Sequence, residues 1–476
     1  MRRWLSVPSE AKVIINRVRG TRDLLVDESQ RHRDVINELQ RIVERFGFRS
    51  IQTPLLEYTD LFSRSLGGGS DIVMKEMYTF KDNSDKSVTL RPEGTAGIMR
   101  TLVSNNLLFS LPQKLSYSGS MNVLSVEGIE SFSSLSGVEY VGSSGPSVDA
   151  EVIAMASDAL DALGIKNKVV LELNSLGDNE SRAKYRVALE EFFSKRKEDL
   201  SVDSVNRLER GSVLRILDSK SEIDQKLVAD APQLSEFLSD ESKRRFDSVL
   251  NGLDALGVSY LQNPRLVRGL VCIKLAAFCF LDDSDSICVV DAECLQDYYS
   301  NTVFEFVERR SANASDKEEA PRGGFAVLAG GCYDGLAESL GGPATACVGW
   351  AAGVDRLNLL CEMPTKTIVS IAVVPVLAGD ESNRVLHEAM RIAQVRWDIL
   401  FPALYRTLRQ RDLMVHFCHG RGNMKKLMKA AERCGSTYAV IIGRAEIDKQ
   451  HVKVKNLEKR EEVEIPTAKL SSFEFC

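Results

Sequence analysis

Three short glycine-containing segments carry residue types that could do chemistry: RPEGTAG (91–97), AGGCYDGL (329–336) and GWAAGVDRL (349–357). The first joins the carboxylate of Glu93 to the hydroxyl of Thr95 in a tight turn. The second contains Gly330 and Gly331, where the absence of a Cβ lets a ligand approach the backbone closely. The third presents Arg356 near the start of a helix. Singly, each is more typical of a turn than of a site, and none has Rossmann or P-loop spacing.

The elements around these segments predict how they are positioned. Two strand-like runs, EMYTFKD and KSVTLRPEG, predict a hairpin whose second strand leads into Glu93. Alternating residues predict further strands at NTVFEFVE and GGFAVLAGG, and the latter delivers Gly330 and Gly331. We also expect RSIQTPLLEY (49–58) to be a strand, with Pro54 indicating an edge or interface position.

Two amphipathic helices are predicted in the first part of the chain. Residues 29–46 place apolar side chains on one helical face. Asp27 or Ser29 is the expected N-cap, and Gly47 is the expected stop, because glycine tolerates the dihedral angles that end a helix. Residues 147–163 form the second predicted helix.

Beyond residue 180 the pattern changes twice. From about 180 to 260 it is helical and charged without strand alternation, which indicates an inserted helical subdomain. After the linker-like MPTKTIV (363–369), strand and helix runs alternate, which predicts a small α/β domain with a mixed sheet and helices on both faces. Within it, the alternation in VHFCHG (415–420) favours a strand end over a metal cluster.

Composition limits the class of protein. A chain of 476 residues is too long for one core, so two or three domains are expected. The net charge of −6 means that any nucleic-acid contact depends on local basic patches, of which RGNMKKLMK (421–429) is a candidate.

No apolar run approaches the roughly 20 residues needed to span a bilayer, so no membrane partner is expected. Ten cysteines without a C-x-x-C pair indicate reduced thiols and an intracellular compartment.

In their order along the chain, these motifs resemble the histidyl-tRNA synthetases. The resemblance begins at VRGTRDLL and continues through TPLLE, LRPEGTAG, LPQKLSY, NSLGD, LRILDSK, LVRGL, DYYSNTVFEF, AGGCYDGL, LGGPAT and GVDRL. It implies an α+β fold of the class II synthetase type, which is an antiparallel sheet with flanking helices, a helical insertion and a C-terminal α/β anticodon-binding domain. It also implies a homodimer located in the cytoplasm or in an organelle matrix.

The resemblance divides the chain into four predicted segments. Residues 1–178 would form the first part of the catalytic core, with motif 1 near Pro54 and motif 2 within 115–142. Residues 179–262 would form the helical insertion. Residues 263–362 would complete the core, with motif 3 at 349–357, and residues 363–476 would form the anticodon-binding domain.

The family's reaction joins histidine to ATP as histidyl-adenylate and then transfers the histidyl group to tRNA-His. ATP, Mg²⁺, histidine and tRNA-His are therefore the implied ligands and partners. Carried over by motif, the implied roles are as follows: Glu93 and Thr95 at the histidine amino group; Glu139, Tyr298 and Tyr299 at the imidazole; Arg268 at the α-phosphate and histidine carboxylate; Arg356 and Gly353 at ATP; and Gly330 and Gly331 as points of close backbone approach.

This chain departs from the family pattern at several positions. Val123 stands where motif 2 carries an arginine for the α-phosphate, and Leu135 stands where it carries a glutamine. Cys332 replaces the usual arginine of the AGGRYDG pattern. An insert at 271–296 separates Arg268 from Tyr298, which the family joins almost directly. Loss of such a charge contact is expected to lower the rate by on the order of 100-fold or more.

Two alternatives to an active ligase follow from these departures. The chain could be a catalytically impaired, synthetase-like tRNA-binding or regulatory protein. A third class, the paralogue that regulates histidine biosynthesis, is disfavoured by the C-terminal anticodon-type part. The second alternative is an error in the gene model. A shifted reading frame near 124–134 would explain the altered motif 2 segment, and a retained intron would explain the insert at 271–296. The insert begins with valine, encoded GTN, and ends with glutamine, which CAG can encode, and these codons match the ends of an intron.

Overall fold

The computed structural model describes residues 15–18, 21–65, 77–124, 130–217, 219, 221–266, 299–309, 325–361, 369–377, 385, 388–389, 392, 413–418 and 424–475. The chain divides into two compact units, Met1–Met363 and Pro364–Cys476. The predicted Arg268, Tyr298 and the insert 271–296 lie outside the described residues.

The strands of the first unit are β1 (Arg49–Ser50), β2 (Leu56–Tyr58), β3 (Thr79–Lys81), β4 (Ser87–Leu90), β5 (Gln113–Leu124), β6 (Glu130–Val141), β7 (Val169–Ser175), β8 (Leu261–Gln262), β9 (Ser300–Glu308), β10 (Ala326–Cys332) and β11 (Cys347–Gly353). An eight-stranded sheet has the order β1-β5-β6-β11-β10-β9-β7-β8. Its neighbours pair antiparallel except at the two edges, where β1–β5 and β7–β8 are parallel. The predicted antiparallel sheet is therefore confirmed.

The helices of this unit are α1 (Val26–Arg45), α2 (Thr59–Ser65), α3 (Thr95–Ser104), α4 (Pro146–Ala162), α5 (Asn179–Ser194), α6 (Val202–Glu209), α7 (Glu222–Ala229), α8 (Asp240–Ala255), α9 (Leu336–Ser339) and α10 (Val354–Leu360). The described residues between Asn179 and Ala255 form helices with short connections and no strand, which confirms the helical character of that segment. Helix α4 packs against α1, α8 and β11 and buries most of its side chains. The predicted helix is thus confirmed, but it is buried on more than one face, unlike an amphipathic helix with a solvated side.

The predicted strand at 49–58 is wrong, because the chain changes sheets within it. Strand β1 pairs with β5 of the large sheet, whereas β2 pairs with β4 of a three-stranded sheet ordered β2-β4-β3. Pro54 lies between them, and its missing N–H removes a hydrogen bond that a continuous strand would need. The hairpin of β3 and β4 is confirmed, with Asp85 at φ 61° in its turn.

The ends of α1 differ in how well the sequence predicted them. The N-cap is Leu25, which has no side-chain capping bond, so neither Asp27 nor Ser29 is the cap. Asp27 lies in the first turn, where its charge complements the helix dipole. Gly47 follows the helix at φ 83°, which confirms it as the stop residue.

The second unit is built on a five-stranded mixed sheet. Its strands are β12 (Ser370–Pro375), β13 (Met414–Phe417), β14 (Tyr438–Ile442), β15 (His451–Asn456) and β16 (Glu462–Pro466), in the order β13-β12-β14-β15-β16. Strand β12 is parallel to β13 and β14, and the other pairs are antiparallel. Each face of the sheet carries its own apolar cluster, and helix Met424–Arg433 covers one of them. The α/β domain with a mixed sheet is confirmed.

Among the helices that the structure describes, none has the length and apolar character required to cross a bilayer.

Candidate active site

A recess in the first unit gathers polar side chains from α3 and from four strands of the large sheet or the residues beside them. It encloses about 290 Å³ of space, its open mouth included. Its lining residues are Glu93, Thr95, Tyr117, Leu135, Glu139, Tyr299, Tyr333, Gly349, Trp350 and Ala351. The structure therefore brings together four of the residues that the motifs predicted, namely Glu93, Thr95, Glu139 and Tyr299.

Glu93 is held in the turn between β4 and α3. Its carboxylate accepts the backbone N–H groups of Thr95 at 2.5 Å and Ala96 at 2.9 Å, which are the unpaired donors at the start of α3. The side chain is only 2% exposed, and burial raises the pKa of Glu93 to about 7, although these hydrogen bonds oppose the shift. The turn predicted from RPEGTAG thus fixes the carboxyl group locally.

Glu139, on β6, is the second buried carboxyl group of the recess. The Thr95 hydroxyl donates to its Oε1 at 2.7 Å, and the Tyr333 hydroxyl donates to its Oε2. Glu139 is 2% exposed, and burial raises its pKa to about 8, with the charge of Glu93 adding to the shift. Two carboxyl groups in one small recess favour a ligand that brings positive charge or several N–H donors.

Glycine is required where Glu139 meets the neighbouring strand. A Cβ on Gly349 would lie 2.1 Å from Oε2 of Glu139 and 2.3 Å from the Val138 carbonyl oxygen. A Cβ on Gly331 would lie 2.8 Å from Cδ1 of Tyr299. At position 331 the missing Cβ therefore makes room for the ring of Tyr299. A Cβ on Gly330 would meet the carbonyl oxygen of Gly349 at 2.2 Å.

Tyr299 closes one side of the recess immediately before β9. Its carbonyl oxygen accepts a hydrogen bond from the guanidinium of Arg182 on α5. Its neighbour in the sequence, Tyr298, is outside the described residues, and so is Arg268. The structure thus tests the position of one of the two predicted tyrosines.

The cation of the RPEGTAG segment does not face the recess. Arg91 is buried and donates to the Thr53 carbonyl oxygen at 3.2 Å, to the Thr53 hydroxyl at 3.1 Å and to the Ser120 carbonyl oxygen at 3.1 Å. It therefore joins the segment that contains Pro54 to strand β5. The sequence places Arg91 beside Glu93, but only the packing shows that it has a structural position.

Arg356 also points away from the recess. Its guanidinium donates to the carbonyl oxygen of Ala326 and lies 5.7 Å from the centre of the Phe325 ring. Gly353 is the last residue of β11. A Cβ on Gly353 would lie 3.6 Å from Cδ of Arg356. The predicted contacts of Arg356 and Gly353 with ATP stay predictions.

The positions that depart from the motif 2 pattern lie on the hairpin of β5 and β6. Val123 pairs with Ser131 in the backbone register near the tip of that hairpin. Leu135 is buried and lines the recess with an apolar side chain where an amide was expected. The lining residues that the structure describes include two carboxyl groups and no arginine, lysine or histidine.

Sequence reasoning missed three contributors to this region. Tyr117 and Tyr333 line the recess, and both stand within quoted motifs, LPQKLSY and AGGCYDGL, which was the available signal. Asp355, next to Arg356, accepts the backbone N–H of Ser134 at 3.1 Å and pairs with the guanidinium of Arg22. Asp355 thereby joins α10 to β6 and to the RGTRD segment.

Cys332 lies outside the recess at the end of β10. Its thiol is buried and donates to Oδ1 of Asp149 at 3.4 Å, beside the guanidinium of Arg245. Burial, followed by the negative charge of Asp149, raises the pKa of the Cys332 thiol. The thiol is thus neutral at physiological pH and is not a nucleophile.

Two family models match this chain. A model described as histidyl-tRNA synthetase matches residues 20–179, and one described as an anticodon binding domain matches residues 400–473.

Individual proteins match over almost the full length. The histidine–tRNA ligase of Gluconobacter oxydans is 40% identical over 456 residues, which are 95% of this chain and 96% of that protein. The histidine–tRNA ligase of Gluconacetobacter diazotrophicus is 40% identical over 453 residues, 94% of this chain and 95% of that protein. The apo histidyl-tRNA synthetase of S. aureus superposes with a TM-score of 0.71 at 28% identity, covering 96% of this chain and 99% of that one. The similarity therefore extends over both units.

Proposed function

Because the chain belongs to the histidyl-tRNA synthetase family, we propose that it is a histidine–tRNA ligase whose amino-acid site is the recess around Glu93 and Glu139. The enzyme activates histidine with ATP and transfers the histidyl group to the 3′ end of tRNA-His. Similarity to two ligases across more than nine-tenths of the chain supports the activity. The chemistry of the recess supports the location of the site.

The observation that carries the site assignment is the pair of buried carboxyl groups. Histidine presents N–H donors at two ends, the α-ammonium group and the imidazole ring, and each end needs an acceptor in a site that excludes water. Glu93 is assigned to the ammonium group. Glu139 and Tyr299 are assigned to the ring nitrogens, with Tyr333 and Thr95 holding the Glu139 carboxyl group by hydrogen bonds.

In the absence of histidine, the two carboxyl groups of the recess are expected to carry a proton that bound histidine replaces. The pKa of Glu139 is raised to about 8 and that of Glu93 to about 7, so at least one carboxyl group is protonated at neutral pH. The arriving ammonium group supplies the positive charge that the proton supplied before. This exchange favours a ligand that carries an ammonium group over an analogue that lacks one.

The first chemical step needs positive charge at the α-phosphate. A carboxylate oxygen of histidine attacks the α-phosphorus, the bond to pyrophosphate breaks, and negative charge accumulates on the phosphoryl oxygens. We assign Arg268 and Arg356 to this charge, because the described lining residues include no cation.

Mg²⁺ is proposed to arrive with ATP. No group of three or more histidine, cysteine, aspartate or glutamate side chains in the described ranges could hold a metal ion. These residues therefore do not form a Mg²⁺ site by themselves. Magnesium ions are usually held by substrate phosphates with one or two carboxylates, and the metal supplies additional neutralisation of the phosphates.

The second unit is proposed to bind tRNA-His. It contains the segment that matches the anticodon binding domain, and its helix Met424–Arg433 carries Lys425, Lys426 and Lys429. Such a cluster can contact the RNA backbone although the chain is acidic overall. Because charged tRNA is used at ribosomes, the cytoplasm or an organelle matrix is the proposed location.

A homodimer is proposed through the three-stranded sheet. Leu55, Leu56, Tyr58 and Phe80 are about half-exposed in or beside β2 and β3. An apolar group of this kind is typical of a surface that a partner covers. The segment around Pro54, which was predicted to be motif 1, leads directly into β2 of this sheet.

Histidine-dependent exchange of pyrophosphate into ATP tests the proposed function on the full chain. Exchange that requires histidine, and that falls at least 100-fold in Glu93→Gln, is expected. The Glu93→Gln variant purified in parallel controls for a contaminating histidyl-tRNA synthetase, because the contaminant's activity would persist in that preparation. Exchange that is unaffected by Glu93→Gln would exclude the proposed site.

The recess also favours a second candidate function, a catalytically impaired protein that binds histidine or tRNA. The observation that supports it is the absence of a cation among the described lining residues, together with Leu135 in place of an amide. In that case the full chain binds tRNA-His without exchange activity. Val123→Arg combined with removal of 271–296 should then restore exchange if these departures are the cause.

A further inference from the structure

The strand that leads away from Tyr299 is irregular at its start. In the pairing of β9 with β10, Gly331 lies opposite Val303 whereas Cys332 lies opposite Ser300. The step of three residues on β9 against one on β10 leaves extra residues, and one of them, Asn301, has a φ of 49°. Such a bulge changes the direction of a strand and re-aims nearby side chains.

One aspartate holds the bulge from the side of α4. Asp149 is 1% exposed, and its Oδ2 accepts the Thr302 hydroxyl at 2.7 Å. The same carboxylate accepts Nη2 of Arg245 at 3.0 Å and the Cys332 thiol at 3.4 Å. Arg245 belongs to α8, so the helical segment supplies the positive charge that lets this carboxylate remain buried.

A second aspartate holds the bulge from the other side. Oδ2 of Asp334 accepts Nδ2 of Asn301 at 3.3 Å and the Ser300 hydroxyl at 3.4 Å. Its Oδ1 accepts the backbone N–H of Cys347 at 3.0 Å, which ties it to β11. The two aspartates therefore bind three consecutive residues, Ser300, Asn301 and Thr302.

The backbone of the bulge is also fixed to the neighbouring turn. The Asn301 N–H donates to the Gly177 carbonyl oxygen at 3.0 Å, and the Asn301 carbonyl oxygen accepts the Leu176 N–H at 2.6 Å. These contacts satisfy a residue whose left-handed conformation is unfavourable for most side chains. Strain that the surroundings maintain next to a ligand site is typical of a positioning device.

We propose that Asp149 and Asp334 are positioning residues that pin the 300–302 bulge and thereby set the orientation of Tyr299 in the histidine recess. Neither carboxylate lines the recess, so each acts through the bulge. This inference rests on the proposed function for its effect on histidine binding, but the orientation of Tyr299 can be measured in the free protein.

The test removes one anchor at a time. Thr302→Val deletes the hydroxyl that Asp149 accepts and keeps the β-branched shape, whereas Thr302→Ser keeps the hydroxyl. Asn301→Gly deletes the amide that Asp334 accepts and tolerates the φ of 49°. Ser204→Ala is the matched control, because the buried Ser204 hydroxyl also donates to a buried carboxylate, Oδ2 of Asp224, at 2.7 Å away from the recess.

Two readouts are compared in each full-length variant. The first is the ¹⁹F resonance of Tyr299 in protein labelled with 3-fluorotyrosine, assigned by its disappearance in Tyr299→Phe. The second is the histidine dissociation constant from calorimetry. Thr302→Val and Asn301→Gly should shift the Tyr299 resonance and weaken histidine binding by about tenfold or more, since small displacements at a site are costly. Thr302→Ser should change the affinity less than about threefold, and Ser204→Ala should change neither readout.

The outcomes separate this inference from the proposed function. If the unmodified chain does not bind histidine, the proposed function fails, and the ¹⁹F resonance alone decides the positioning role. If Thr302→Val does not fold, Asn301→Gly decides it, because Asn301 is only partly buried. An unshifted Tyr299 resonance in a folded anchor variant, or an equal shift in Ser204→Ala, overturns the proposal.

Discussion

Replacement of Glu139 by glutamine should stabilise the ligand-free protein at alkaline pH while it abolishes histidine binding. Burial raises the pKa of Glu139 from 4.5 to about 8 in the folded chain. Between these two pH values the folded protein retains a proton that the unfolded chain releases. The unfolded chain then binds fewer protons, so the free energy of unfolding falls as pH rises through this window. Glutamine does not titrate and removes that dependence.

The magnitude follows from the size of the shift. One pKa unit corresponds to about 1.4 kcal/mol, so the folded wild type carries a penalty on the order of 3 kcal/mol from Glu139 at pH 7. The penalty is absent below pH 4.5, where the group is protonated in both states. Loss of the hydrogen bond from the Tyr333 hydroxyl offsets about 1 kcal/mol of the gain. At pH 8 the penalty grows to about 4 kcal/mol, so a net stabilisation of roughly 3 kcal/mol is expected in Glu139→Gln at pH 8 and about none at pH 5.

Urea unfolding at pH 5, 6.5 and 8, followed by the fluorescence of Trp350 and the other tryptophans, measures this difference. Glu93 titrates with the same sign, because its pKa is raised to about 7. The variant should therefore retain part of the pH dependence. Calorimetry of histidine binding is carried out on the same samples. A variant that is less stable than the wild type at pH 8, or that shows an unchanged pH slope, would refute the argument that Glu139 is a buried acid retained for its ligand.

Three further results are expected. Gly349→Ala should destabilise the protein by about 1–3 kcal/mol in urea and abolish histidine binding, because its Cβ would lie 2.1 Å from the Glu139 carboxylate. Gly335→Ala, where a Cβ meets nothing within 4 Å, is its control and should be neutral in both assays. Arg91→Met should lower the free energy of unfolding by about 1–3 kcal/mol, because it removes the hydrogen bonds by which the buried guanidinium joins Thr53 to Ser120; an unchanged urea midpoint would contradict this structural role. Burial alone would raise the pKa of Asp224, but hydrogen bonds from Ser201, Ser204 and Ser219 outweigh it and lower that pKa. The contribution of Asp224 to stability is therefore lost as pH falls through the depressed pKa, and Asp224→Asn should remove this acid-dependent unfolding of the helical segment, as measured by hydrogen exchange at pH 3 and pH 6.

The features that the sequence predicted well depend on neighbouring residues. The hairpin of β3 and β4, the turn that presents Glu93 and the stop at Gly47 each result from dihedral preferences within a few positions. The mixed sheet of the second unit followed from alternation of strand and helix patterns. The prediction failed at 49–58 because pairing with two different sheets overrode the local preference for one strand.

The composition of the recess was predicted only in part. Glu93, Thr95, Glu139 and Tyr299 were chosen from motifs and do lie together. Tyr117 and Tyr333 were missed, because an isolated tyrosine in a strand is most often a core residue. Arg356 was assigned to ATP from its motif, yet it donates to the backbone of β10.

The sequence alone determined the family and the short-range geometry that places a carboxylate at the start of α3. The order of the motifs identifies the family even where single positions, such as Val123 and Cys332, depart from its pattern. The Glu93 carboxylate is held by backbone N–H groups only two and three residues away, so its position depends on local sequence. Tertiary structure alone decided which distant groups meet. Glu139 reaches Thr95 across 44 positions and Tyr333 across 194, and burial of that cluster is what raises the pKa of Glu139 to about 8. Desolvation depends on everything packed around a group, so no local pattern of residues encodes it.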